Sequence, residues 1–395
     1  MKEEYRFLGE YIRQVDIRNK EGKKENLLGV SVQKQFIQSI ANTVGTDFTK
    51  YKVVKKGQFT YIPDTSRRGD KIAIALLEDY EEGLVSNVYT VFEVIDTEKL
   101  LPEYLMLWFS RPEFDRYARF KSHGSVREVM DWEEMCKVEL PVPDIEKQRK
   151  IVKAYKTITD RIALKQKIND NLVACIDTIF NEQFGNFKAL AESSTANTDF
   201  SSLPDGWTIE NAVHSFDISI GKTPPRSEPE WFTSNQTDNV WISIADMKTN
   251  SPFIFKSAEY LTNEAVKKHN VKIVPANSVL LSFKMTVGRV AIVTNEVTTN
   301  EAIAHFPCTK ENLFFVYCYL KNFNYGYLGS TSSITTAINS KIIKEMPFLM
   351  PSKKELDSFN HKVSGLFEQL KYISKELDIL EELSKMLLPQ LLGHC

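Results

Sequence analysis

The chain has 395 residues, more than a single hydrophobic core usually holds, so at least two folding units are expected. Hydrophobic residues make up 42% and aromatic residues 11%, which excludes a disordered chain. Lys and Arg total 50 against 52 Asp and Glu, a net charge of −2, so nucleic acid is not coated through bulk charge and any basic groove must be local. The start MKEEYRFLGE is charged where a signal peptide would be apolar, and no apolar run of about 18 residues follows. A cytoplasmic protein without a membrane span is expected.

In chain order, YKVVKKGQFTYI (51–62), DKIAIALL (70–77) and NVYTVFEVI (87–95) are β-branched and aromatic runs bounded by Gly, Pro and polar residues, the pattern of strands. LLPEYLMLWFSRPEFDRYARFK (100–121) has helical spacing. A long charged helix is predicted from Pro143 to Gly185, with Pro at its start and Gly as its C-terminal cap. Lys188–Pro204 is small, polar and aperiodic, a linker. VWISIADM, SVLLSF, GRVAIVT and ENLFFVYCYLKNF then repeat the order of strands and helix, and a second long helix is predicted from Pro351 to Gly393.

The two helices are copies. Pro351 lies 208 positions after Pro143 and Gly393 lies 208 after Gly185, so no insertion separates them. Leu356, Phe359, Val363, Leu366, Leu370, Ile373, Leu377, Leu380 and Leu387 follow the spacing of a coiled-coil seam. The same register in the first helix falls on Ile151, Tyr155, Ile158, Ile162, Leu172 and Ile179, with Gln148, Lys165 and Asn169 as polar exceptions of the kind that fix pairing and orientation. Upstream, His123–Met130 matches Thr331–Ile338 and Glu139–Pro143 matches Pro347–Pro351; farther back, Gly69–Ile74 resembles Gly288–Ile292 with a drifting offset. A unit of variable module plus constant helix occurs twice.

Catalytic motifs are missing. Gly221-Lys222-Thr223 lacks the earlier Gly of a phosphate-binding loop, since position 216 is Phe. No G-x-G-x-x-G follows a strand, and no Asn/Asp-Pro-Pro-aromatic tetrapeptide occurs. The six His and five Cys are scattered, without metal-ligand spacing, so no metal and no catalytic residue is assigned.

Local charge tells more than the total. Asp47–Ile72 carries seven cations against three acids, and Tyr51, Phe59 and Tyr61 interleave with them. Lys50, Lys52, Lys55, Lys56, Tyr61, Ser66, Arg67 and Arg68 are candidate DNA contacts here, with Arg119, Lys121, Ser125 and Arg127 from a second basic stretch. In module two the candidates are Lys222, Thr223 and Arg226, Lys284 and Arg289, and Ser332, Ser333 and Thr335 of a hydroxyl-rich turn. Different loops in the two modules imply that different sequences are read.

This order of features resembles the specificity subunit of type I restriction-modification systems over essentially the whole chain. The most specific stretches are Thr65-Ser66-Arg67-Arg68-Gly69-Asp70-Lys71-Ile72-Ala73, Pro112–Arg119, Leu203-Pro204-Asp205-Gly206-Trp207, Ser219–Pro224 and Trp241–Met247; the Gly206-Trp207 opening has no counterpart near residue 1. The resemblance implies an α+β fold: two globular mixed α/β target-recognition domains joined by two long antiparallel coiled-coil helices, with a pseudo-twofold internal repeat. Its parts would be residues 1–143 and 205–350 as target-recognition domains, 144–187 and 351–395 as spacer helices with Ile158, Ile162, Leu172, Ile179, Leu366, Leu370, Leu380 and Leu387 in the seam, and 188–204 as linker. It also implies a non-catalytic reader of double-stranded DNA, each domain taking one half of a split, asymmetric site. Two methyltransferase subunits would bring S-adenosylmethionine and adenine N6 methylation, leaving no cofactor in this chain, and restriction and translocase subunits would join for cleavage. A second reading uses the same features: a protein-binding adaptor with two heads on a coiled-coil stalk and no DNA specificity.

Overall fold

The computed structural model describes residues 5–39, 45–65, 71–122, 128–193, 201, 203–248, 251–328 and 338–392. The chain packs as two compact units: residues 1–161 together with 381–395, and residues 162–380. Each unit is one module plus a part of each long helix. Among the described residues no helix is long and apolar enough to cross a membrane, and no group of His, Cys, Asp and Glu could hold a metal ion.

In the first unit the central sheet runs Ile12–Val15, Thr90–Val94, Phe59–Tyr61, Ile74–Leu76, all antiparallel. In the second it runs Ser219–Ile220, Ile303–Pro307, Ser278–Ser282, Val290–Val293, with Phe253–Ile254 added in parallel at the edge. The strand order is the same. Phe59–Tyr61 and Ser278–Ser282 are buried on both faces, so Thr60, Ser278 and Ser282 are enclosed along with their apolar neighbours.

Both units close in one way, by pairing an early strand antiparallel with the strand that leads into a long helix. Tyr5–Phe7 pairs with Glu139–Pro141, and Thr208–Asn211 pairs with Pro347–Met350. In each, a buried tyrosine on an earlier helix of the unit ties down the closing strand: the Tyr104 hydroxyl donates to the Pro141 carbonyl at 3.0 Å and that of Tyr319 to the Pro347 carbonyl at 2.9 Å. Thus module one has its first strand without a Gly-Trp opening. The apolar stretch 100–121 forms two helices, Pro102–Phe109 and Pro112–Lys121, because Pro112 holds Arg111 in an extended conformation.

The long helices span Ile145–Glu192 and Lys353–Leu392. The first runs beyond the expected end at 187. Gly185 is an interior helical residue and not a cap, because Lys188 and Glu192 pair at 3.0 Å and Glu192 accepts the Asn324 backbone N–H at 2.6 Å, anchoring the extra turn. In the second unit Gln183 meets Glu355 at 3.1 Å and Lys165 meets Glu376 at 2.8 Å, so the helices run antiparallel. In the first unit Ser384 donates to the Tyr155 hydroxyl at 3.4 Å, and Ile151 shares a core with Leu388 and Leu392, in the same sense.

The seam residues face inward to different degrees. Leu370 and Leu380 are buried; Ile158, Ile162, Leu172, Ile179, Leu366 and Leu387 are half-buried. Phe359, Val363 and Leu370 of that register are fully buried, and so are Phe180, Phe184 and Phe367 beside it. Each helix packs against a module as well as its partner helix, so the buried stripe is wider than a two-residue seam. Phe180, Phe184, Phe315 and Phe359 form an aromatic cluster, and Phe367 stacks on Phe314 at 4.1 Å. Gln148 is a correction to the seam reading. Fully buried, its side chain accepts the Leu101 N–H at 2.9 Å and donates to the carbonyls of Lys99 and Pro143 at 2.8 Å, tying helix to module.

Candidate nucleic-acid interface

In the second unit three connections leave the central sheet side by side. Gly221 starts the first: its N–H donates to the Ile303 carbonyl at 3.1 Å, and the next N–H, of Lys222, to the Thr299 carbonyl at 2.9 Å. A Cβ on Gly221 would lie 2.1 Å from the Asn300 carbonyl oxygen, so only glycine lets the loop approach this closely. The Trp241 indole N–H donates to the Lys222 carbonyl at 3.3 Å. This clamps the Lys222 backbone on both sides and leaves its side chain exposed.

Around this clamp the cations gather on one carboxylate. The Thr223 hydroxyl donates to Glu301, and the Phe283 N–H donates to the Ala302 carbonyl at 2.9 Å, which sets Lys284 beside it. Burial raises the Glu301 pKa, but the Thr223 hydroxyl, its own backbone N–H and the charges of Lys284 and Arg226 outweigh that and hold it below the usual carboxylate range. Arg226 forks onto Glu259 at 2.7 and 2.8 Å, with its guanidinium 3.9 Å from the Phe232 ring centroid and 4.9 Å from that of Trp241. Such a fixed guanidinium presents an edge rather than a free arm. Arg289 donates to the Ile244 carbonyl at 2.7 Å. Three of the residues singled out in this module, Thr223, Arg226 and Lys284, therefore act on one carboxylate, with the Lys222 backbone next to them, and Glu301 was missed because an acidic residue gives no signal among cations.

Beneath the clamp lies a second feature that sequence reading missed. His305 is fully buried, with the Ser219 hydroxyl 2.8 Å from Nδ1 and the Thr299 hydroxyl 2.7 Å from Nε2. Burial pushes its pKa down to about 4, so the ring is neutral and bridges the strand that ends in Gly221 to the strand end that holds Lys222.

In the first unit the candidates are more dispersed. Lys50, Lys55 and Lys56 are exposed; Lys50 lies 3.7 Å from Asp47 and Lys56 2.8 Å from Glu81. Two candidates are corrected. Lys52 is buried, its ammonium 2.7 Å from the Tyr89 carbonyl, and burial lowers its pKa. Tyr61 is fully buried edge-on to Phe92, and burial raises its pKa. Neither side chain reaches a surface where DNA could bind. Arg119 is ion-paired with Glu128, and Lys121 lies over the rings of Tyr117 at 5.9 Å and Phe120 at 6.0 Å.

Ser66, Arg67, Arg68, Ser125, Arg127, Ser332, Ser333 and Thr335 lie outside the described residues. The residues flanking 66–70 and 123–127 are bonded to each other: the Thr65 hydroxyl donates to Ser122 at 2.9 Å, and its N–H donates to the Glu128 carbonyl at 3.0 Å. On the far side of 66–70, the Ile72 N–H donates to Asp115 at 3.2 Å, which also pairs with the buried ammonium of Lys34 at 2.6 Å.

Comparison with known proteins agrees with this duplicated architecture. The chain is 24% identical to the Type I restriction enzyme HindI specificity subunit of Haemophilus influenzae over 406 aligned residues, 87% of each chain. It is 23% identical to the Type I restriction enzyme MjaIX specificity subunit of Methanocaldococcus jannaschii, over 75% of this chain and 70% of that one. Its fold is similar to the crystal structure of the Type-I restriction-modification system S subunit from M. genitalium, with a TM-score of 0.59 at 13% identity, covering 100% of this chain and 97% of the other. The family described as "Type I restriction modification DNA specificity domain" matches twice, at residues 4–174 and 215–385, once for each module with its helix. With two such matches over most of its length, on two units of one strand order, the chain belongs to the type I restriction modification DNA specificity family.

Proposed function

We propose that this chain is the DNA-reading subunit of a type I restriction-modification complex. Each unit reads one half of a bipartite, asymmetric duplex site, and the two long helices set the spacing of the halves and dock two methyltransferase subunits. Those partners supply S-adenosylmethionine binding and adenine N6 methylation, and restriction and translocase subunits join for cleavage, so this chain performs no catalysis and carries no cofactor. The observation that carries the reading is the contrast between constant and variable parts. The two sheets share one strand order, while the equivalent hairpin connection carries Arg67 and Arg68 in one module and Lys284 and Arg289 in the other. One scaffold with different cations at the same place suits two readers of different sequences.

Sequencing methylated adenines in a host that carries this chain with its methyltransferase partner tests the reading. A bipartite motif with two unlike halves is the expected outcome. Uniform or absent methylation, with no sequence-dependent binding of duplex DNA by the complex, would leave the adaptor reading in its place. Lys284→Ala should weaken recognition of the half-site read by the second unit, and Arg67→Ala or Arg127→Ala that of the first, each by about 1–3 kcal/mol where the side chain contacts a base. Methylation of each half-site in the variants assigns the units.

A further inference from the structure

The hairpin that joins Ser278–Ser282 to Val290–Val293 ends in Lys284-Met285-Thr286-Val287. Met285 is 100% exposed, and its φ is +58°. A bulky side chain in the left-handed region is strained, and complete exposure means that no packing within the chain offsets it. Of the five non-glycine residues with positive φ among the described residues, three are asparagines, which tolerate that region. The fourth, Lys34, is held by its ion pair with Asp115 at 2.6 Å and by the Phe114 ring 5.3 Å away. Among these five, Met285 is the one that is both apolar and fully in solvent.

The tip is rigidly built. Ser282 is fully buried, and its hydroxyl donates to the Thr286 carbonyl at 2.6 Å and accepts the Arg289 N–H at 3.0 Å. The Gly288 N–H donates to the Ser282 carbonyl at 3.0 Å. Gly288 has φ +88°, and a Cβ there would lie 3.2 Å from the Tyr325 ring, so the base of the hairpin sits close against that ring. Lys284 precedes Met285 directly and borders the Lys222, Thr223 and Arg226 cluster around Glu301.

We propose that Met285 is a wedge that inserts between two stacked base pairs of the half-site read by the second unit, with Lys284 holding a flanking phosphate. This rests on the DNA-reading function proposed above. An apolar side chain presented on a rigid tip among cations is what unstacking a base step requires: the cations draw in the backbone, and the preformed tip has no ordering cost at the moment of insertion. Insertion favours a weakly stacked pyrimidine–purine step, so the wedge reads deformability where no base edge is touched. In the equivalent connection of the first unit, residues 62–73, the large apolar residues are Ile62 and Ile72 and both are buried, which confines the wedge to one half-site.

The test uses the chain assembled with its methyltransferase partner and duplexes of its own methylated site, with 2-aminopurine moved position by position through both halves. Wild type should give a rise in fluorescence at one step of the second half, away from the methylated adenine, and no such step in the first half. Met285→Gly suits the left-handed backbone and so keeps the fold, as an unchanged melting temperature of the free chain would show; it should lose the rise and bind the site roughly tenfold more weakly. Met285→Leu should retain the rise. A rise that persists in Met285→Gly, or its absence from every second-half position in wild type, overturns the wedge. Failure of the DNA-reading function itself looks different, since then no sequence-specific methylated site exists from which to build the duplexes.

Discussion

At the scale of single residues, His305 couples the second unit to pH. Its ordinary pKa of 6.5 is lowered to about 4 by burial, so as pH falls through this window the unfolded chain takes up a proton that the folded ring refuses. Stability contributed by the neutral ring is complete above pH 6.5, declines between there and about 4, and changes no further below. The loss should approach on the order of 3 kcal/mol. Urea unfolding at pH 7 and pH 4.5 should show it, and His305→Gln, which keeps a donor and an acceptor, should flatten the dependence; an equal slope in the variant would count against this origin. Residue-scale reading of the sequence foresaw exposed side chains where a cation sits in a loop, as at Lys222 and Lys284, and did not foresee burial inside strands. Lys52 illustrates why. It shares a face with Val54, which is fully buried, because side chains two apart on a strand point the same way. Tyr61 lies in a strand buried on both faces, where alternation gives no warning at all.

At the scale of elements, the long helices were legible because a three-and-four spacing sustained over 40 residues fits the helical period and no strand. Their polar interruptions were less so, since sequence shows that a position is polar but not what it meets. Lys165 does pair across the helices, with Glu376. Gln148 instead serves the module, and Leu356 holds the corresponding place in the second copy. Replacing Gln148 with Leu would strand one buried N–H and two carbonyls, with an expected cost of about 2–4 kcal/mol. Denaturant unfolding should show this loss in the first unit and leave the transition of the second in place. The paired level of Lys165 and Glu376 is also where spacing can be tested. Seven residues added to each helix there should widen the gap in the methylated motif and leave both halves unaltered; an unchanged gap would refute the spacer role.

At the scale of the whole molecule, the duplication was the feature most open to sequence, because matching helices at a constant offset need no knowledge of the fold. The sheets were not. Strand order depends on pairings such as Tyr5–Phe7 with Glu139–Pro141, which join distant residues of ordinary composition. The first unit takes its core from either side of the second: Leu388 and Leu392 pack with Leu8, Ile12 and Ile151, whereas the second unit is one continuous stretch, 162–380. During synthesis the second unit can therefore finish folding while the first still awaits Leu388 and Leu392. Translation order and folding order are reversed, and a nascent chain halted just short of Leu388 should carry a protease-resistant second unit and a cleavable first one.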